Sequence, residues 1–262
     1  MKKFIYVLMS STLVMSTLAF AAPNQKVSAS ELNYVSDNFE IITDTEEKSE
    51  YILKVDGQEI HYIETVTTID EDTKEIETKA YNEETNELLQ HFTSVVKEDK
   101  IVDQDVISFE ELPQSQQEDS TIVNNGGIAL FASVTSNKSL ITYLGIKYST
   151  NHTTNIGSAD YAGLKTKKVN LTTASAKNRQ AYNSYTQNVD SLRSTETGNI
   201  VGWLVDVFNG GLLSVGTLLS WKTAQVILKN IAGPLAIAAN AVTLGQWFYY
   251  YNNCVNGYYD LP

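Results

Sequence analysis

Charge is distributed very unevenly along this sequence of 262 residues. Residues 31–120 contain 26 acidic residues and 6 lysines, a net charge of −20, whereas residues 121–262 contain 10 basic and 5 acidic residues, a net charge of +5. A change of composition on this scale marks a domain boundary. The sequence therefore predicts an acidic module at residues 22–112, a linker rich in Gln, Ser, Asn and Gly at residues 113–127, and a basic, apolar module at residues 128–262.

The first residues have the three parts of a secretory signal. Lys2 and Lys3 form a positive start, residues 4–18 are mostly apolar, and Ala-Phe-Ala at residues 19–21 is a small-x-small cleavage pattern. The apolar run is short for a membrane span, which needs about 20 residues. We therefore expect residues 1–21 to be a signal peptide and the mature protein to be secreted and extracellular.

The acidic module has the pattern of an antiparallel β-meander. Short runs of alternating apolar and polar residues are separated by polar turns, and the dipeptide Asp56-Gly57 is a strong signal for a two-residue hairpin. The carboxylates fall mainly in turns and on one strand face, so we expect most of them to be solvated. The predicted strands cover residues 51–55, 59–67, 76–81 and 88–96.

The basic module begins with strand-like sequence and continues with helices. Residues 128–134 and 140–148 are rich in β-branched and aromatic side chains. A helix is predicted at about 172–196, with Thr172 or Thr173 as its cap. Its buried stripe is expected to consist of Ala181, Tyr185, Val189 and Leu192.

The end of the chain is unusually apolar and rich in Gly and Ala. Helices are predicted at about 198–220 and 223–251, and each contains an apolar run of about 21–23 residues, long enough to cross ~30 Å of hydrocarbon. Small residues spaced four apart allow close helix packing in a membrane, and Trp favours its interfaces. The candidate membrane-active residues are Gly198, Gly202, Trp203, Trp221, Ala232, Ala236, Ala241, Gly245 and Trp247. The predicted fold class is α+β, an N-terminal antiparallel β-meander module followed by a mixed module that ends in an apolar helical hairpin.

Two other interpretations of the apolar segment stay open. Two apolar helices also suit the buried core of a soluble domain, and Gly210-Gly211 and Pro234 would break them into shorter helices. Asn209 and Asn240 are polar positions that a permanent membrane anchor would usually avoid. A segment between these limits is typical of a protein that is first soluble and enters membranes later.

No catalytic constellation is evident. The sequence contains none of the patterns HExxH, GxSxG, GxxxxGK[ST] or GxGxxG. It has three histidines, His61, His91 and His152, and one cysteine, Cys254, with no local pattern that supports a nucleophile or a zinc site. Net acidity argues against binding to nucleic acid. We therefore predict no enzyme activity, no cofactor and no bound metal.

The whole layout resembles the precursor of a secreted Gram-positive antibacterial protein. The runs NIVGWLVDVFNGG and KNIAGPLAIAANAVTLGQWFYYY in particular are similar to the large bacteriocins of the geobacillin type. The resemblance implies a toxin that acts on the membrane or envelope of competing bacteria, and it implies a processing protease and an immunity protein as partners. The acidic module would then be a pro-region, its −20 facing the +5 of the toxic module. The alternative is a secreted cell-wall-associated or binding protein with a soluble helical core.

Processing is expected near the end of the linker. Gly126 and Gly127 precede Ile128 and resemble the double-glycine cleavage site of small bacteriocin leaders. Asn124 departs from that pattern, because an apolar residue is expected there. A secretory signal also makes double-glycine export redundant, so a flexible linker explains the doublet better.

Overall fold

The computed structural model describes residues 35–106, 136–161, 163–210, 212 and 216–262. The predicted signal peptide and linker, including Gly126 and Gly127, lie outside these residues, as does the strand predicted at 128–134.

A seven-stranded antiparallel sheet forms the acidic module. Each strand pairs with its neighbour in sequence, so the predicted meander is confirmed and the four predicted strands correspond to β3–β6. Asp56 and Gly57 have φ angles of +53° and +77°, as a two-residue hairpin turn requires. The strands are β1 (Val35–Ser36), β2 (Phe39–Asp44), β3 (Lys48–Val55), β4 (Gln58–Thr68), β5 (Thr73–Asn82), β6 (Leu88–Lys97) and β7 (Lys100–Val106).

A second antiparallel sheet lies in the basic module, in the order β11-β10-β9-β8. The strand predicted at 140–148 is interrupted by a turn, in which the N–H of Gly145 donates to the carbonyl of Thr142 over 3.1 Å. Gly145 has a φ of +77°, a left-handed conformation that a continuous strand does not adopt. The strands are β8 (Lys138–Ile141), β9 (Ile146–Asn151), β10 (Ile156–Tyr161) and β11 (Lys167–Asn170).

Helix α1 (Ala176–Thr195) packs against this second sheet and confirms the helix predicted at 172–196. The predicted cap is wrong: Ser175 caps the helix, its hydroxyl accepting from the N–H of Asn178 over 3.2 Å. Asn170 binds the N–H groups of Thr172 and Thr173, which places them in the preceding turn. Three members of the predicted stripe are fully buried, namely Tyr185, Val189 and Leu192, whereas Ala181 is half-buried.

The apolar end of the chain forms four helices rather than the two that the sequence predicts. The helix predicted at 198–220 ends at Asn209, and Gly216 has a φ of +91°, which a right-handed helix does not allow. The helices are α2 (Gly198–Asn209), α3 (Trp221–Leu228), α4 (Pro234–Ala239) and α5 (Ala241–Asp260).

The helix predicted at 223–251 is therefore also wrong in its bounds. It is interrupted after Leu228, because Gly233 has a φ of +76° and Pro234 lacks the N–H that a continuing helix would need. A second break lies at Asn240, and α5 then runs to Asp260. The predicted hairpin is thus a chain of shorter helices.

The two modules share one hydrophobic core. The inner face of the seven-stranded sheet packs on the apolar helices, and the second sheet and α1 pack on the other side of α5. α5 is buried along most of its length, with Trp247 and Tyr251 fully inaccessible. The contact between the two modules is therefore the candidate functional site.

Candidate functional site between the acidic and basic modules

The site is the set of contacts that the seven-stranded sheet makes with Leu212 and residues 216–260, which we call the docking interface. Its apolar part depends on a close approach of α5 to β2 and β3. A Cβ atom at Gly245 would lie 3.1 Å from the ring of Phe39 and 3.2 Å from Leu53, so only glycine fits without a shift. The Phe39 and Trp221 ring centroids are 5.3 Å apart, which extends the apolar contact to α3.

A buried carboxylate from the sheet satisfies the first turn of α3. Glu64 accepts hydrogen bonds from the N–H of Trp221 over 3.0 Å, from the N–H of Lys222 over 2.7 Å and from the Ser220 hydroxyl over 2.8 Å. The first N–H groups of a helix have no partner within it, and the positive end of the helix dipole favours an anion. Ser220 and Thr223 form a local capping box at the start of α3, and Glu64 of the other module adds an acceptor for the N–H groups of the next two residues.

Burial raises the pKa of the Glu64 carboxyl above its ordinary value. The Tyr51 hydroxyl, the N–H of Lys222, the Ser220 hydroxyl and the N–H of Trp221 act in the opposite direction because they donate to the carboxylate, yet desolvation outweighs them. Ser220, Trp221 and Lys222 belong to the basic module, so the carboxyl binds these three donors only while the two modules are docked.

A second carboxylate, Asp44, holds the side chain of Lys222. The Lys222 ammonium donates to Asp44, to the carbonyl of Thr45 over 2.6 Å and to the side-chain oxygen of Gln225 over 3.0 Å. Asp44 also accepts from the Gln225 amide over 2.7 Å. Both members of this ion pair are almost fully buried, so separating the modules would expose two charges that satisfy each other in the docked state.

Two carboxamides hold the extended segment at residues 217–220, which precedes α3. Gln104 of β7 accepts from the N–H of Leu218 over 2.6 Å and donates to its carbonyl over 3.0 Å. Asn252 of α5 accepts from the N–H of Leu219 over 2.9 Å and donates to its carbonyl over 2.7 Å. Because each carboxamide pairs with both backbone groups of one residue, the segment is fixed in a non-helical conformation by side chains from both modules.

Few ion pairs between described residues cross the docking interface. Among the described residues, only the pairs Asp44–Lys222 and Asp99–Lys229 join the two modules. Most other carboxylates of the sheet lie in turns or on its outer face. Few close contacts thus represent the expected pairing of a −20 module with a +5 module, which stays a prediction.

The structure separates the predicted membrane-active residues into three groups. Gly198 and Gly202 are exposed, whereas Trp203, Ala232 and Ala236 are half-buried. Four residues lie in the docking interface or the core and are buried: Trp221, Ala241, Gly245 and Trp247. No helix among the described residues is long and apolar enough to cross a membrane.

Sequence reasoning missed the polar residues that hold the interface, Glu64 above all. A usable signal exists in β4, where Glu64 follows Ile60 and Tyr62 at every second position and therefore points to the buried face. The carboxylate at an inward position of an alternating strand predicts a buried partner. Gln104 and Asn252 carry no comparable signal.

The candidate nucleophile and histidines do not form a catalytic group. Burial raises the pKa of the Cys254 thiol well above its ordinary value, so the reactive thiolate is disfavoured. His61 lies on the outer face of the sheet, with its ring nitrogens 3.1 Å from Glu50 and from Glu83. In the described part of the chain, no group of three or more His, Cys, Asp or Glu residues is placed to hold a metal ion.

No protein-family model matches the sequence, and no curated protein or solved structure matches it either. The geometry of the docking interface is therefore the basis on which a function can be proposed.

Proposed function

We propose that this is a secreted antibacterial protein made as a precursor, whose basic module acts on the envelope or membrane of competing bacteria. The acidic module is its pro-region and holds the basic module in a docked, inactive form. A protease that cuts the linker at 113–127 starts the release. The observation that carries this proposal is the Glu64 carboxylate, which caps α3 across the docking interface.

The polar contacts between the modules are suited to hold one docked arrangement that can later be released. Three acceptors on the sheet, the buried Glu64 and the partly buried Asp44 and Gln104, meet donors on one short stretch at residues 218–225. Each of these contacts specifies one docked arrangement, because a buried polar group without its partner is costly. Apolar packing gives strength, and the polar contacts fix where the helices sit on the sheet.

The docked form also hides apolar helices that carry almost no charge. Between Asp206 and Asp260 the sequence has two charged residues, Lys222 and Lys229, and both are paired with carboxylates of the acidic module. A helix set of this composition, once undocked, would expose a large apolar surface with a positive charge. Such a surface favours anionic bacterial membranes.

The test places a cleavage site for a specific protease in the linker at 113–127. Growth of Gram-positive indicator strains and dye release from phosphatidylglycerol vesicles are measured with the full chain before and after cleavage. We expect inhibition and leakage only after cleavage, and the matched control is the same chain with a scrambled, uncleavable site. Cleaved protein whose modules separate but which neither inhibits growth nor releases dye would contradict the proposal.

A second candidate is a secreted cell-wall-associated or binding protein. The observation in its favour is the continuous core that both modules share, since one core is typical of a single stable domain. In that case the cleaved modules should stay associated in gel filtration, and the full chain should sediment with purified cell walls. Neither result is expected of a pro-region.

A further inference from the structure

A cavity of about 170 Å³ lies within the docking interface, between the inner face of the seven-stranded sheet and α5. It is partly open to solvent and has room for several water molecules, and therefore for a small ligand. Strands β4, β5 and β6 line one side, whereas Tyr249 and Asn253 of α5 line the other. Ligand sites are common where two parts of a protein meet.

The local structure of the sheet makes room for this cavity. Ala80 of β5 is buried and pairs with Gln90 of β6, whereas the next residue, Tyr81, pairs with Leu88. Leu89 is therefore the extra residue of a β-bulge. It lines the cavity beside Gln90, although neighbouring side chains of a regular strand point to opposite faces. The small side chain of Ala80 leaves open a volume that a larger residue would fill.

Two buried polar side chains of the sheet line the cavity and have unused hydrogen-bonding capacity. Tyr62 is 4% exposed, and its hydroxyl has no hydrogen-bond partner among the described residues. Gln90 is 5% exposed, and its side-chain amide donates to Asn253 over 3.3 Å and accepts from Asn252 over 3.4 Å, both long distances. A carboxamide can take part in four hydrogen bonds, so Gln90 keeps one donor and one acceptor position for a ligand.

The lining fits an uncharged ligand that contains an amide group. None of the lining residues carries a charge, and an unpaired charge is costly in such surroundings. Ile60, Ala80 and Leu89 offer an apolar surface to a methyl group. Tyr62 and Gln90 offer hydrogen-bond donors and acceptors. An acetamido group combines a methyl group with a carbonyl and an N–H, and therefore matches both kinds of surface.

The more accessible part of the lining is polar as well. Gln58 is exposed, and Tyr249 and Asn253 are half-buried. Two carboxamides and a phenol hydroxyl suit the hydroxyl groups of a sugar, which both donate and accept hydrogen bonds. We propose that this cavity binds an N-acetylated sugar, with the acetamido group against Tyr62 and Gln90. The ligand contacts both modules, so its binding favours the docked form. This site goes beyond the proposed antibacterial function and does not depend on it.

The test titrates the full chain with N-acetylglucosamine and follows the side-chain amide signals of Gln90 and Asn253 by NMR. We expect both signals to shift in a saturable way with a dissociation constant of about 1 mM, as is ordinary for a ligand of about 15 non-hydrogen atoms. Glucose, which lacks the acetamido group, is the comparison ligand. It should bind about tenfold more weakly, because the hydrogen bonds of that group are lost.

Two substitutions test the site in different ways. Tyr62→Phe removes a hydroxyl that has no partner in the described protein, so it should keep the thermal stability of the wild type and weaken binding about fivefold. Ala80→Leu fills the cavity and should abolish the shifts. The matched control is Tyr148→Phe, because the Tyr148 hydroxyl binds Asp190 in the basic module and does not line the cavity. This control should bind N-acetylglucosamine as the wild type does.

Four results would each overturn the assignment of the cavity. These are the absence of saturable shifts, equal affinity for glucose, equal weakening by Tyr62→Phe and Tyr148→Phe, and undiminished binding to folded Ala80→Leu. Growth inhibition by the cleaved chain is measured separately. Inhibition without sugar binding removes the cavity site and leaves the proposed function, whereas sugar binding without inhibition leaves the site and counts against that function.

Discussion

The Ser220 hydroxyl donates to the Glu64 carboxylate over 2.8 Å, although 156 residues separate the two in sequence. Ser220 precedes helix α3 of the basic module, and Glu64 lies in the middle of strand β4 of the acidic module. Both are buried, so neither group can be satisfied by bulk water while the modules are docked. The first turn of α3 therefore receives hydrogen bonds from the acidic module in addition to its local capping box of Ser220 and Thr223.

Removing the Glu64 carboxylate should destabilise the protein. Glu64→Ala leaves the buried N–H groups of Trp221 and Lys222 without acceptors, which should lower the free energy of unfolding by at least about 1–3 kcal/mol. Urea denaturation followed by circular dichroism measures the loss. The control is Glu59→Ala, an exposed position on the same strand, which should change stability by no more than about 0.5 kcal/mol. Equal losses of unfolding free energy in the two variants would contradict the role of Glu64 at the start of α3.

Glu64 should also make stability depend on pH in a defined direction. Its pKa is raised in the folded protein, so its contribution is fully present below pH 4.5 and is lost as pH rises through the folded pKa. From pH 7 to pH 5 the wild type should gain stability relative to Glu64→Gln, which cannot ionise. Urea unfolding of both proteins at the two pH values gives the change in unfolding free energy of each. The contributions of all other titrating groups cancel when the two changes are subtracted. A gain for Glu64→Gln relative to wild type would reverse the sign and contradict the raised pKa.

The two ion pairs between the modules should differ greatly in their contribution. Lys222→Met leaves the Asp44 carboxylate buried without its cation, which should cost about 3–5 kcal/mol. Lys229→Met removes a half-exposed partner of Asp99 and should cost about 0–1 kcal/mol. Thermal and urea unfolding of the two variants test this ranking, and similar losses would show that burial of the Lys222 pair does not matter.

Two glycines of α5 should respond oppositely to alanine. Gly245→Ala places a Cβ 3.1 Å from Phe39 and 3.2 Å from Leu53, which are buried and cannot move away easily, so the variant should be destabilised. Gly257→Ala meets Tyr185 at an ordinary 3.7 Å and should stabilise the helix by up to about 1 kcal/mol. If both variants unfold at the same temperature, the close approach of α5 to the sheet is wrong.

Replacing each of two alanines by aspartate should distinguish a position needed for folding from a position needed for membrane activity. Ala241 is fully buried, so Ala241→Asp should unfold the protein by burying an unpaired charge. Ala236 is half-buried in α4, so Ala236→Asp should stay folded. It should nevertheless reduce dye release after cleavage, because a charge in the middle of a bilayer costs on the order of 2.5–3.5 kcal/mol. Circular dichroism and leakage assays are read together. Full dye release by folded Ala236→Asp would exclude insertion of α4 into the membrane.

Local pattern was sufficient to predict much of this protein. Strands β3–β6 were predictable because alternation with a period of two records which face is buried, and Asp56-Gly57 accepts the positive φ angles of a tight hairpin. The stripe of α1 was predictable for the corresponding reason with a helical period.

Local sequence explains part of how the apolar half of the chain is divided, because Gly210 follows the end of α2 and Pro234 begins α4, whereas only the tertiary structure decided what holds these helices. Residues 217–220 are apolar enough for a helix, yet they are extended, because Gln104 and Asn252 supply the backbone hydrogen bonds that a helix would otherwise make internally. The first turn of α3 likewise uses Glu64, which lies far away in sequence. Periodicity records which face of an element is buried but not which distant side chain will meet it, and in this protein those distant contacts complete the hydrogen bonding of residues 218–222.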